Sequence, residues 1–224
     1  MRKGNFMVFS WQYALVCAVV GCFSLCGVGC GSAPVNSYYT LENTMPKNDD
    51  VPNASLCKAV LAIDSVTVDP PFDLTKIAFR PDELEVRYYT HRHWVCSPEE
   101  MMRKLLIRRL ATENLFDEVD SIVFLPEPDL TLFVKVQNLE EIDRNKTWNG
   151  RLAMSFSLKD DVSDDVVWEY RFDEINPAKK NDIKEMIQAI NDIYNRQMVK
   201  VVHALKLFIT RYKKCSGHGA TSED

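Results

Sequence analysis

Cys30 is the residue whose chemistry is most directly legible. It closes the segment Gly27-Val28-Gly29-Cys30-Gly31-Ser32, after an apolar run from Phe6 to Val20 that opens on Arg2 and Lys3. A basic start, an apolar core and a small-residue cleavage site are the physical marks of a secretory signal. A cysteine at the cut makes this a lipobox, in which Cys30 is acylated and becomes the first residue of the mature chain. Cys22, after Val19-Val20-Gly21, is the alternative acylation site, although a cut there shortens the apolar core. A span of roughly 20 apolar residues would also cross a bilayer. Against that reading, Gly21, Gly27, Gly29 and Gly31 crowd the end of the run, and no basic cluster follows it. Each buried methylene contributes about 0.8 kcal/mol, so two or more acyl chains anchor a protein stably.

Other residues with chemical potential are sparser. His91 and His93 alternate on an extended segment and would point the same way, but two ligands without a third make no metal site. A solvated pair is the expectation. Trp94 and Trp148 are candidate docking anchors, since tryptophan is enriched in interface hot spots; packing in the core or at its rim is the favoured reading of both. Asp160-Asp161 and Asp164-Asp165 lack the spacing of a calcium loop and read as a solvated acidic turn. No nucleophile elbow, phosphate loop or HExxH sequence is present, so no enzyme, metal or cofactor is expected.

Composition narrows the class. Of 224 residues, 46% are hydrophobic and 26% charged, as in a globular domain. The formal charge of −5 becomes −7 once Arg2 and Lys3 leave with the signal, which argues against nucleic acid. Four of the seven cysteines (17, 22, 26 and 30) belong to the signal or its cut. Cys57, Cys96 and Cys215 remain, allowing at most one internal disulfide, whose pairing the sequence leaves open.

The elements that must position these residues follow from periodicity. Lys58 to Val68 reads as a strand, stopped by Asp69-Pro70-Pro71. Ile77 to Arg80 and Leu84 to Tyr89 form two short strands about a turn at Arg80-Pro81-Asp82-Glu83. Ser97-Pro98-Glu99-Glu100 starts a helix lasting to about Leu115. Leu130 to Ile142, Arg151 to Lys159 and Val166 to Phe172 form a meander, with Asp143 to Gly150 as a polar hairpin loop carrying Trp148. A last helix, about Asp182 to Tyr212, keeps a 3.6-residue apolar period throughout. Tyr38 and Tyr39 begin an edge strand.

The order of these motifs resembles a known family. Tyr38-Tyr39-Thr40-Leu41 is followed by Val66-Thr67-Val68-Asp69-Pro70-Pro71, then Ile77-Ala78-Phe79-Arg80, Leu84-Glu85-Val86, Tyr88-Tyr89 and Trp94 before the capped helix. The set is similar to the ABC-type transport auxiliary lipoprotein family, which includes the outer-membrane lipoprotein of the paraquat-inducible lipid-transport system. His91-Arg92-His93, which lengthens the approach to Trp94, and the tail after Cys215 depart from it. The resemblance implies a single α/β domain with a mixed sheet and flanking helices, similar to the N-terminal domain of TolB. It implies a signal over residues 1–29, a lipidated tether over 30–57, the domain over 58–214 and a tail over 215–224. It also implies a non-enzymatic subunit at the periplasmic face of the outer membrane. The implied partners are an MCE-domain protein and an ABC permease and ATPase, with self-association possible. A lipoprotein that activates a cell-wall synthase is the rival reading.

Overall fold

The computed structural model describes residues 34–43, 54–125, 127–144, 146–212 and 215. Cys30, Cys22 and the signal lie outside the described residues, as does the tail from 216 onward. Among the described residues no helix is long and apolar enough to cross a membrane.

Eight strands form one mixed sheet: β1 (Ser37–Tyr39), β2 (Cys57–Val68), β3 (Lys76–Asp82), β4 (Glu85–Trp94), β5 (Phe116–Ser121), β6 (Leu130–Arg144), β7 (Thr147–Asp160) and β8 (Val166–Pro177). Two helices, α1 (Pro98–Thr112) and α2 (Ile183–Ile209), complete the domain. The meander β6-β7-β8 is antiparallel, as alternation predicts. On its other side β6 has two successive neighbours: β2 pairs with Leu130 to Val136 and β3 with Glu140 to Ile142, both parallel. The sheet therefore forks along β6, with β5 beyond β2 and with β4 and β1 beyond β3. The chain leaves the β2 line at Asp69, where Pro70–Phe72 forms a short 3-10 turn, and rejoins β6 as β3.

One face of the sheet is covered. Helix α1 packs on β2 and β5, and α2 on β7 and β8. Ser97 caps α1, its hydroxyl accepting from the Glu100 amide at 3.3 Å, while Asp182 caps α2. At 1.5 Å per residue α2 is about 40 Å long. Its buried side chains run from Ile183 to Ile209, so the apolar stripe serves the core along the whole helix. The opposite sheet face is polar and open, as in a two-layer fold.

Several boundaries differ from the sequence reading. Strand β5 was missed, because Asp117, Glu118 and Asp120 hide its alternation. The segment from Asp143 to Gly150 is mostly strand: Asp143 pairs with Trp148 and Arg144 with Thr147, so the hairpin turn is far tighter than a loop. Pro81 lies inside β3, and β4 continues to Trp94. Residues 37–43, assigned to the tether, are built into the domain. Strand β1 pairs with β4 at the sheet edge, and Leu41 is buried. The Glu42 amide donates to Asn191 Oδ1 at 2.8 Å, and Asn195 Nδ2 donates to the Glu42 carbonyl at 2.9 Å.

The disulfide joins Cys57 to Cys215 and leaves Cys96 free. It ties the start of β2 to the segment beyond α2 across 158 residues. Closing so long a loop in the unfolded chain stabilises by about 2–5 kcal/mol.

Candidate functional site

Two bulges build the site. Lys76 pairs with His93 and Ala78 with Tyr88, so the four residues 89–92 of β4 oppose Ile77 alone. In β6, Val136 pairs with Met154 and Asn138 with Ala153, leaving Gln137 as an extra residue. Bulges re-aim side chains. Before Gln137 the helix-facing positions of β6 are Leu130, Leu132, Val134 and Val136; after it, Leu139 and Glu141 face the partners Leu152 and Gly150. The carboxylate pair Glu140-Glu141 thus enters the sheet interior one residue to each face.

On the helix side, Glu141 is 2% exposed and accepts a hydrogen bond from Tyr89 Oη at 2.9 Å. The β4 bulge lays the Arg92 guanidinium 4.4 Å from the centre of the Tyr89 ring and 5.8 Å from that of Trp148. Phe79 packs on Tyr89 at 4.6 Å between ring centres. Burial pushes the Glu141 carboxyl up to about 7, with Asp143 adding to the rise; the Tyr89 hydroxyl and Arg92 oppose it. Burial, then Glu141, raises the Tyr89 phenol above its ordinary value. Arg92 Nη1 and Asp143 Oδ1 are buried without a hydrogen-bond partner among the described residues. A half-buried Trp, Tyr and Arg, with an internal carboxylate behind them, make an amphipathic patch.

On the open face, Glu140 is fully buried. It accepts from Arg80 Nε at 3.1 Å and from Asn138 Nδ2 at 3.0 Å, and lies 3.5 Å from Arg151 Nη1. Arg151 in turn makes two bonds to Asp173, at 2.9 and 2.7 Å. Two cations and an amide compensate its removal from water.

The residues singled out by sequence separate cleanly. Trp94 is 1% exposed and belongs to the core, so its ring offers a partner no surface and the docking expectation for it is corrected. Trp148 is half-buried and joins the cluster. Its amide donates to Asn181 Oδ1 at 3.1 Å and its carbonyl accepts from Ala178 at 2.9 Å, which fixes the ring from the segment before α2. His91 Nδ1 is hydrogen-bonded with Asn36 Oδ1 at 3.1 Å and the His93 ring lies 5.6 Å from that of Tyr38, so the two histidines are engaged with β1 and the residue before it. Among the described residues no group of three His, Cys, Asp or Glu could hold a metal. The acidic turn is self-capped: Asp160 Oδ1 accepts from the amides of Val162 at 2.8 Å and Ser163 at 3.3 Å, while Tyr212 donates to Asp160 and Lys159 pairs with Asp164. Sequence reasoning missed Tyr89, Arg92, Glu141 and Asp143. The available signals were the double carboxylate inside an otherwise alternating strand and the departure at His91-Arg92-His93.

A family model described as the ABC-type transport auxiliary lipoprotein component matches residues 39–202. The chain belongs to this family. As a member it is an auxiliary lipoprotein of ABC-type transport. The matched span begins at the end of β1, includes both bulges and runs far into α2. Among solved structures, a Xanthomonas campestris protein of family DUF330 is similar, with a TM-score of 0.66 at 16% identity, covering 77% of this chain and 96% of that one. An uncharacterized protein is also similar, with a TM-score of 0.58 at 12% identity, covering 76% and 99%. Both likenesses concern the fold. No curated protein matches the sequence.

Proposed function

We propose that this auxiliary lipoprotein is a non-enzymatic docking subunit of an MCE-type lipid transport system. In this reading it is acylated at Cys30, with Cys22 as the alternative, and held at the periplasmic face of the outer membrane. It meets an MCE-domain protein and its ABC permease and ATPase through the patch formed by Trp148, Tyr89 and Arg92. The observation that supports the reading is that the first described strand and the patch share one strand pair. Strand β1, the first element after the anchor, pairs along the end of β4, and the bulge of β4 supplies Tyr89 and Arg92. Ser37 lies seven residues after Cys30, a reach of at most about 25 Å. The patch is therefore presented close to the membrane, which raises its local concentration near any conduit meeting that membrane. Trp, Tyr and Arg are also the side chains enriched in interface hot spots.

The test is affinity purification from detergent-solubilised membranes of the native host, comparing the parent with an Arg92→Ala, Trp148→Ala double variant. The parent recovers an MCE-domain protein with its permease, and the variant, still folded and acylated, loses both. Recovery of a cell-wall synthase in their place overturns the transport assignment. Equal recovery by the double variant moves the docking surface elsewhere.

A further inference from the structure

Three connections meet at one end of the sheet. The turn between β3 and β4 lies there, because Arg80 of β3 pairs with Ile142 near the end of β6, and Asp82 pairs with Glu85 across the turn. The turn between β6 and β7 lies beside it, where Arg144 pairs with Thr147. Strand β8 ends at the same level, Pro177 pairing with Asn149, and the chain passes through Lys179 and Lys180 to the cap of α2 at Asp182. Asn181 joins the last two connections. Its Nδ2 donates to the Lys146 carbonyl at 2.6 Å, and its Oδ1 accepts from the Trp148 amide at 3.1 Å.

This junction gathers Arg144, Lys146, Lys179, Lys180 and Lys184, all of them exposed. Among the described residues none of the five meets a carboxylate. The carboxylates at the same end are mostly engaged. Asp82 Oδ1 accepts from the Leu84 amide at 2.9 Å, Glu85 pairs with Arg87, and Asp182 Oδ1 accepts from the Lys184 amide at 2.8 Å. Asp143 is half-buried behind the turn, which leaves Glu83 and the half-buried Glu185 to oppose the cations. The other end of the same strands reverses the sign, with Asp160, Asp161, Asp164 and Asp165 in and around the β7–β8 turn. A chain that is acidic overall is thus electrically polar along its strands, and its net charge hides a cationic end.

The path of the chain argues for a lipid surface as the partner of that end. Clusters of about four to eight Lys and Arg next to a membrane attachment recognise anionic headgroups. Strand β1 runs parallel to β4, so the chain before Ser37 lies toward the start of β4, and Asn36 Oδ1 meets His91 Nδ1 at 3.1 Å. The stretch of β4 from His91 back to Glu85 is about 20 Å long. From Asn36 back to Cys30 the chain has a reach of at most about 21 Å. That reach is enough to set an acyl group at Cys30 level with the two hairpin turns and the basic junction; this step rests on the acylation proposed above. Leu84, 98% exposed in the β3–β4 turn, adds an apolar contact at the same end.

We propose that the basic junction is a binding surface for anionic lipid headgroups, on which the domain stands with its two hairpin turns toward the bilayer. The acyl chains hold the protein at the membrane and the cations orient it, with the acidic β7–β8 turn directed away.

The experiment takes the full chain, purified in detergent from membranes of its host and transferred into phosphatidylcholine vesicles with or without about 30% phosphatidylglycerol. Limited acetylation of lysine amines, read residue by residue by mass spectrometry, compares Lys146, Lys179, Lys180 and Lys184 with Lys58, an exposed lysine of β2 at the acidic end. Phosphatidylglycerol slows acetylation of the four at least about threefold at about 0.1 M salt and leaves Lys58 unchanged. At about 1 M salt, where the screening length falls to about 3 Å, the difference disappears. The double variant Lys179→Glu, Lys180→Glu keeps its melting temperature and loses the slowing at Lys146 and Lys184. Equal rates in the two kinds of vesicle overturn the proposal, as does a difference that survives high salt or the double exchange. Slowing in native membranes but in neither vesicle assigns the end to an acidic protein partner and overturns the lipid. Intact mass reports acylation separately, so a chain without acyl groups refutes the anchor while the labelling contrast still decides the basic end.

Discussion

From Leu130 to Val136, strand β6 runs between β2 and β7 and turns Leu130, Leu132, Val134 and Val136 into the core. From Asn138 to Arg144 it runs between β3 and β7, and the positions that face inward include Glu141 and Asp143. A single extra residue, Gln137, separates the two regimes. Burying a Val or Leu side chain contributes about 1.5–3 kcal/mol, so the first half is a source of stability. The second half takes carboxylates out of water and must compensate each one with cations, hydroxyls or a change of protonation. Stability and the candidate docking patch are thus allotted to different ends of one strand. The polar end is the one that borders β3, beyond which lie β4 and β1.

The sharpest way to break this comparison is to make the first half resemble the second. Val134 is 2% exposed, faces Val66 on β2 and Phe156 on β7, and none of these can pair a charge. Val134→Glu should therefore remove more than about 4 kcal/mol and abolish the cooperative thermal transition. A variant that still melts near the parent would show that the first half tolerates carboxylates too, and the distinction would collapse.

A smaller effect tests how closely the second half is fitted to α2. Gly150 lies opposite Glu141, and a Cβ built there would fall 2.6 Å from Ile190 Cγ1, 2.9 Å from the Ile190 amide nitrogen and 3.0 Å from the Met186 carbonyl. Its φ is not positive, so the glycine serves close approach rather than a turn. Two of the three neighbours are helix backbone, which cannot rotate away. Gly150→Ala should lower stability by about 1–3 kcal/mol, or roughly 3–10 °C in melting temperature. An unchanged melting curve would mean that α2 slides freely at this point and does not brace the patch.

The same contrast explains what could be read in advance. Alternation revealed the first half of β6 and most of β7, because each inward residue is apolar. The capped start of α1 and the period of α2 were equally local signals. The mixed α/β sheet followed from these together with the family resemblance. The second half of β6 was not legible, since its inward positions depend on a bulge set by register against β7. Arg92 joins Trp148 only because β4 carries three more residues than β3 between Lys76 and Ala78, a relation between strands that neither sequence segment contains. Cys57 and Cys215 are far apart in sequence and meet through the path of α2, so no spacing rule could pair them. His91-Arg92-His93 did stand out as a departure, but the metal reading drew attention to the histidines, whereas the arginine between them reaches the cluster.

The subtlest expected effect concerns Glu141. Its carboxyl is raised to about 7 in the folded protein, whereas an unfolded glutamate titrates near 4.3. Below about pH 4 both states hold the proton and Glu141 is neutral with respect to stability change. Between about pH 4 and 7 the unfolded chain has released its proton while the folded chain still holds it, so the folded state binds more protons and stability falls as pH rises. The loss accumulates to on the order of 3 kcal/mol and is complete once pH passes about 7. Glu141→Gln retains an oxygen for the Tyr89 hydroxyl but cannot ionise. Denaturant unfolding of parent and variant from pH 4.5 to 8 should show the parent losing stability relative to the variant as pH increases, with the gap widest above pH 7. The opposite slope would mean that Arg92 and Tyr89 outweigh burial and hold Glu141 as a stabilised anion. A flat difference would mean that water reaches the carboxylate and the patch is not the dry, rigid end of β6 that its contacts describe.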